Sequence, residues 1–136
     1  MLTVKFYEQA EDTLLKYAVI IARSEDKWVF CKHRKRDSWE IPGGHREQGE
    51  DILCAAKREL YEETGALEFE IQPVCVYSVV RDEEETFGML FAAQIAEFEA
   101  ELHSEIERIG FFEQLPEHWT YPLIQPRLIE EYMRRI

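Results

Sequence analysis

Residues 14–23 and 27–33 are dense in Val, Ile, Phe, Tyr and Trp and are separated by the polar triplet Ser24, Glu25 and Asp26. Apolar β-forming runs on either side of a short polar break predict a β-hairpin. Asp37 and Ser38 form a turn before Trp39, Glu40 and Ile41, after which Pro42, Gly43 and Gly44 are expected to end any regular element and open a loop. From residue 51 to 64 the chain is rich in strong helix formers, and Gly65 stands where a C-terminal glycine cap belongs. Leu53, Ala56 and Leu60 share one face of that helix and supply an apolar stripe.

Residues 71–80 and 86–95 read as a second antiparallel pair. Their connection, Arg81, Asp82, Glu83, Glu84 and Glu85, is too charged for a core. A further strand is expected over residues 107–112, and Pro122 can open a final helix in which Ile124, Leu128, Ile129, Tyr132 and Met133 keep a helical period. Strands on both sides of one strong helix, with a second helix last, predict an α/β/α sandwich around a mixed β-sheet.

Length and composition narrow this picture. With 136 residues and 46% hydrophobic content, the expectation is one domain spanning residues 1–136. The early apolar run from Tyr17 to Ala22 is too short to cross a bilayer and follows no basic leader, so a cytoplasmic protein without a membrane partner is expected. Cys31, Cys54 and Cys75 lie far apart without zinc-site spacing and read as reduced, each a small buried or half-buried hydrophobe. Asp and Glu number 28 against 16 Lys and Arg, a net charge of −12 that disfavours a nucleic-acid polymer as partner. A small anion remains compatible, because the run Lys32, His33, Arg34, Lys35 and Arg36 is locally basic and a bound cation can invert the field at one site.

The chemistry is concentrated in Glu59, Glu62 and Glu63. At helical spacings of three and four, these carboxylates project to one side and repel one another, which a purely structural helix gains nothing from. Magnesium turns that repulsion into binding, since it takes oxygen ligands and commonly bridges one or two carboxylates to substrate phosphates. Taken alone the triplet also fits a solvated helix face. The glycines just ahead of it change the weighting, because backbone without a Cβ can approach a ligand or offer a carbonyl to a metal.

Gly44, Glu50, Arg58, Glu59, Leu60, Glu62, Glu63 and Gly65 together resemble the signature box of the Nudix hydrolase family, with Ala66 where the family usually has a larger aliphatic residue. The lead-in from Trp39 to Gly44 also looks like the segment that commonly precedes that box. The resemblance implies the family's sandwich fold and hydrolysis of a diphosphate linkage by water with Mg²⁺, or alternatively Mn²⁺. It implies Glu59, Glu62 and Glu63 as metal ligands, the Gly43 carbonyl as a further ligand, and Glu50 as a supporting acid. Arg58 would orient a carboxylate through a charge-assisted hydrogen bond.

The resemblance also implies an additional late acid, as ligand or general base, for which Glu105 is the candidate, with Glu107 second. Lys32, Arg34, Arg36 and Arg46, with Gly43 and Gly44, are candidates to steady substrate phosphates, and strand alternation would point Lys32 and Arg34 the same way. Phe30, Tyr77 or Trp119 could stack on a base, although core packing suits each better.

Secondary signatures of ADP-ribose and diadenosine polyphosphate enzymes, a proline or a tyrosine beyond the box, have no match at Val80, Arg81 or Glu83. The chain therefore resembles mutator-type nucleoside triphosphate pyrophosphohydrolases. The expected reaction converts a nucleoside triphosphate, including an oxidised one such as 8-oxo-dGTP, to monophosphate and pyrophosphate. Alternatives are ADP-ribose, a sugar nucleotide, a dinucleoside polyphosphate or capped RNA, or a nucleotide sensor without catalysis. The retained glutamates argue against the sensor. Either a monomer or a homodimer fits.

Overall fold

The computed structural model describes residues 1–100 and 106–136. Its strands are β1 (Leu2–Tyr7), β2 (Leu15–Ser24), β3 (Lys27–His33), β4 (Gly43–His45), β5 (Ala66–Arg81), β6 (Glu84–Phe98) and β7 (Ile106–Phe112). Its helices are α1 (Ile52–Thr64) and α2 (Gln125–Arg135). The sheet runs β1-β5-β6-β2-β3-β7, with β4 added beside β2. β2 lies parallel to β6 and the other pairings are antiparallel, so the sheet is mixed.

Alternation along β2 explains the layering. Ala18, Ile20 and Ala22 face the cluster that contains Ala55, Ala56 and Leu60 of α1. Val19 and Ile21 face the cluster that contains Leu128 and Ile129 of α2. Side chains on a strand point alternately to opposite faces, so the stretch covered on both sides must be continuously apolar, as β2 is from Ala18 to Ala22. Burying a side chain such as Leu60, which is fully enclosed, contributes roughly 1.5–3 kcal/mol. Among the described residues no helix is long and apolar enough to cross a membrane.

α1 ends at the glycine its sequence predicts and starts at Ile52, one residue later than expected. Asp51 caps its start by accepting from Leu53 N at 3.1 Å, and Gly65 closes it with a left-handed backbone, φ 75°. Several boundaries differ from expectation. α2 starts at Gln125 rather than Pro122, because Pro126 takes the first-turn position where a missing N–H costs nothing, while residues 121–124 form the preceding turn. The charged connection shrinks to Asp82 and Glu83, with Asp82 at φ 58°, and Arg81, Glu84 and Glu85 join the strands with side chains in solvent. β1 carries no strong pattern and exists because it pairs with the outer edge of β5. Cys54 is exposed, unlike Cys31 and Cys75, because it lies on the outer face of α1.

The most consequential difference is β4. Pro42, Gly43 and Gly44 do not end regular structure. β2 and β3 pair only near their turn, from Ala22–Val29 to Ser24–Lys27, and then splay apart. The chain from Trp39 to His45 fills the gap: Glu40 pairs with Cys31 of β3, and Gly43 to His45 pair with Val19 to Tyr17 of β2. Ile20 N donates to the Pro42 carbonyl between the two pairings, at 2.9 Å.

Gly65→Ala should cost ~1–2 kcal/mol, because a Cβ is strained at positive φ even though its nearest neighbours would lie at an ordinary 3.5 Å. Urea denaturation against the parent measures it.

Candidate active site

β4 and α1 meet where the chain needs a close approach. A Cβ on Gly44 would sit 2.6 Å from the Glu59 carboxylate, so only glycine lets the backbone lie against that group. Gly43 N donates to Glu63 Oε1 at 2.7 Å. The glycine pair is thus the wall against which two of the α1 carboxylates are set.

Arg58 organises the acidic side. Its Nε and Nη2 grip Glu50 at 2.7 and 2.9 Å, its Nη1 reaches Glu59 at 2.8 Å and Glu62 at 3.4 Å, and Nη2 also donates to the His45 carbonyl at 3.0 Å. Arg58 holds the Glu50 carboxyl down at about 2, with help from the Glu47 N–H. The same contacts keep the Arg58 guanidinium firmly charged.

Burial acts the other way on the remaining carboxylates. It raises Glu59 despite Arg58, and it raises Glu63 to about 8, with the Gly43 N–H opposing and Glu59, Glu40 and Glu62 adding repulsion. A buried carboxylate cluster with too few counter-charges is the donor set a hard divalent cation would take. Glu59, Glu62 and Glu63, with the neighbouring backbone, fit such an ion.

Other nominated residues fall elsewhere. Glu105 lies outside the described residues, and of Glu107 only its place in β7 is described. β3 ends at His33, so Arg34 sits exposed in a turn while Lys32 is buried in the strand; the two do not share a face as alternation suggested. Arg46 grips Asp12 at 2.7 Å and donates to the Asp12, Leu15 and Glu50 carbonyls, tying the end of the Trp39–His45 wedge between β2 and β3 to the chain at the start of β2. Arg36 donates to the Tyr121 hydroxyl at 3.4 Å. Phe30 is core, edge-on to Phe112 and Trp119.

The α2 side of the sheet holds a cavity of about 530 Å³. Tyr17, Val19, Tyr77, Val79, Tyr121 and Gln125 line it, and Glu40, Gly43, Gly44 and His45 join the wall, so it adjoins the carboxylate cluster. That volume suits a small organic ligand. Among the described lining residues Arg81 is the sole Lys or Arg, a position missed in the sequence because it reads as connection. Its spacing of two from Val79 and four from Tyr77 was the available signal. Gln125 was also missed: its Oε1 accepts from Ile41 N at 2.8 Å and anchors α2 to the wedge.

A model of the NUDIX domain matches residues 13–119. The YtkD protein of Bacillus subtilis, whose assignment as an 8-oxo-dGTP diphosphatase is provisional, is 30% identical over 116 residues, covering 85% of this chain and 73% of that protein. An RNA pyrophosphohydrolase of Caulobacter vibrioides is 41% identical over 46 residues, 32% of this chain and 27% of that protein. Among solved structures, the Bacillus subtilis pyrophosphohydrolase BsRppH shares the fold with a TM-score of 0.80 at 24% identity, over 98% of this chain and 90% of that one.

The raised Glu63 carboxyl has a stability consequence. The folded state holds that proton above the ordinary carboxylate range, so stability contributed by protonated Glu63 declines as pH rises from about 4.5 towards about 8. Urea denaturation in chelator across that window should show the decline, and Glu63→Gln should flatten it. An unchanged slope in the variant contradicts this origin.

Proposed function

Because this chain belongs to the Nudix family of pyrophosphohydrolases, we propose that it hydrolyses a diphosphate linkage in a small nucleotide, most favourably a nucleoside triphosphate or its oxidised form, to monophosphate and pyrophosphate. The observation that carries this reading is the placement of Glu59 and Glu63, with Glu62 beside them on α1, against Gly43 and Gly44, glycines that also line the 530 Å³ cavity. The likeness to YtkD over most of the chain supports the triphosphate as substrate class. The net charge of −12 supports a small substrate over a polymer.

Glu59, Glu62 and Glu63, with the Gly43 carbonyl, would hold Mg²⁺. A divalent cation bound there supplies Lewis acidity, offsetting charge that builds on the phosphate oxygens and acidifying water. The chain's own groups do the rest. Glu50 and Arg58 keep the Glu59 carboxylate in place by paired charge-assisted hydrogen bonds, and a carboxylate of the cluster accepts the proton of the attacking water. Tyr17, Tyr77 and Tyr121 offer ring surface to the nucleoside. Arg81, the cation of the cavity wall, is better placed than Lys32, Arg34 or Arg46 to meet a polar group of the substrate there.

The test is product identification after incubation with Mg²⁺ and a panel of nucleoside triphosphates, oxidised triphosphates, ADP-ribose, sugar nucleotides, dinucleoside polyphosphates and 5′-triphosphate RNA. Pyrophosphate and monophosphate from a triphosphate are expected, and Glu62→Gln should lower kcat by ~10² or more. A folded preparation that cleaves nothing in the panel overturns the reading, and preference for the RNA end replaces its substrate. Gly44→Ala should lower activity while melting near the parent temperature, since the added Cβ displaces the Glu59 carboxylate rather than the core. A Gly44→Ala enzyme as active as the parent contradicts the close-approach argument.

A further inference from the structure

His33 closes β3 and Glu40 belongs to the Trp39–His45 segment wedged between β2 and β3; neither takes part in the reaction as described above. His33 Nε2 lies 3.0 Å from Glu40 Oε1 and 3.7 Å from Glu63 Oε2. The Glu40 side chain is only 8% exposed, and its Oε2 has no hydrogen-bond partner. Arg36 approaches that oxygen at 3.5 Å from a largely solvated position. One imidazole nitrogen therefore stands between two buried carboxylates.

Glu63 is held from two directions. The Gly43 N–H takes Oε1 from the β4 side, and His33 Nε2 faces Oε2 from β3. With Oε1 hydrogen-bonded to the Gly43 N–H and Oε2 facing, at 3.7 Å, an imidazole that Glu40 holds at 3.0 Å, the Glu63 carboxylate has restricted room to rotate away from the site that Glu59 and Glu62 complete. Without the imidazole, the facing charge of Glu40 would push Glu63 out of that orientation. Groups behind a ligating carboxylate that set its orientation commonly tune the site, and losing one typically weakens metal binding.

We propose that His33, oriented by Glu40, is a positioning residue for Glu63 and sets the affinity of the α1 carboxylates for a divalent cation. This rests on the reading that those carboxylates bind one. Nothing in the box demands a histidine at the end of β3; the wedge is what brings residues 33, 40 and 63 together.

Two measurements test it: Mn²⁺ binding to the metal-free protein followed by electron paramagnetic resonance, and the Mg²⁺ dependence of hydrolysis of the best panel substrate. His33→Ala should raise the Mn²⁺ dissociation constant and the half-saturating Mg²⁺ concentration 10–100-fold. At saturating Mg²⁺, kcat and the nucleotide KM should stay close to the parent's. His33→Phe keeps a ring in place without a donor and should behave like His33→Ala, guarding against a variant that fails to fold. His33→Gln retains an N–H donor and should recover most of the affinity.

Parent-like Mn²⁺ affinity in a folded His33→Ala or His33→Phe protein overturns the proposal. So does a loss of kcat at saturating Mg²⁺ with cation affinity unchanged, since that is what a merely structural histidine would give. If the parent itself binds no Mn²⁺, the cation reading of the α1 carboxylates is what fails.

Discussion

The Arg58 guanidinium is the constraint on which the acidic site depends. It spans Glu50, Glu59 and Glu62 and also ties to the His45 carbonyl, so a single cation joins the loop before α1, the face of α1 and the end of β4. Hydrogen bonds to charged groups are worth about 1.5–3 kcal/mol each, and here they offset a repulsion the carboxylates cannot escape. Burial still leaves Glu59 and Glu63 above their ordinary range. The folded chain therefore keeps a local electrostatic deficit that a divalent cation would relieve, which joins the stability of the site to its chemistry.

That site exists only because the β2–β3 hairpin opens. Had the two strands paired along their whole length, the edge of β2 from Tyr17 to Val19 would have no place for Gly43 to His45. Inserting the wedge does three things at once. It sets the glycine backbone against Glu59 and Glu63, it buries Glu40 beside His33, and it gives Ile41 to Gln125 as the anchor of α2. Both faces of the sheet are thereby organised by one short segment, with the carboxylates on the α1 side and the cavity on the α2 side.

The basic run from Lys32 to Arg36 shows how local charge can mislead. Lys32, Arg34 and Arg36 looked alike as phosphate grips, yet the end of β3 at His33 leaves the lysine buried in the strand, the histidine beside carboxylates and the arginines exposed beyond it. The cation of the cavity wall is Arg81, at the end of a strand that reads in the sequence as the start of a charged connection. Charge density along a chain says little about direction, because one strand boundary decides which face receives a side chain.

Local patterns determined what was legible beforehand. Helix formers with Asp51 and Gly65 at the ends specify α1 nearly to the residue, since capping and φ preference act within a few positions. The i, i+3, i+4 spacing likewise places Glu59, Glu62 and Glu63 on one face, and the box around them marks the family. What only the tertiary structure decided depends on contacts between distant segments: β1 as an edge strand, the parallel meeting of β2 with β6, glycines 43 and 44 as a strand, and the meeting of His33, Glu40 and Glu63. Those pairings are settled by which backbone edges and buried charges find partners in three dimensions, and no window of neighbouring residues carries that information.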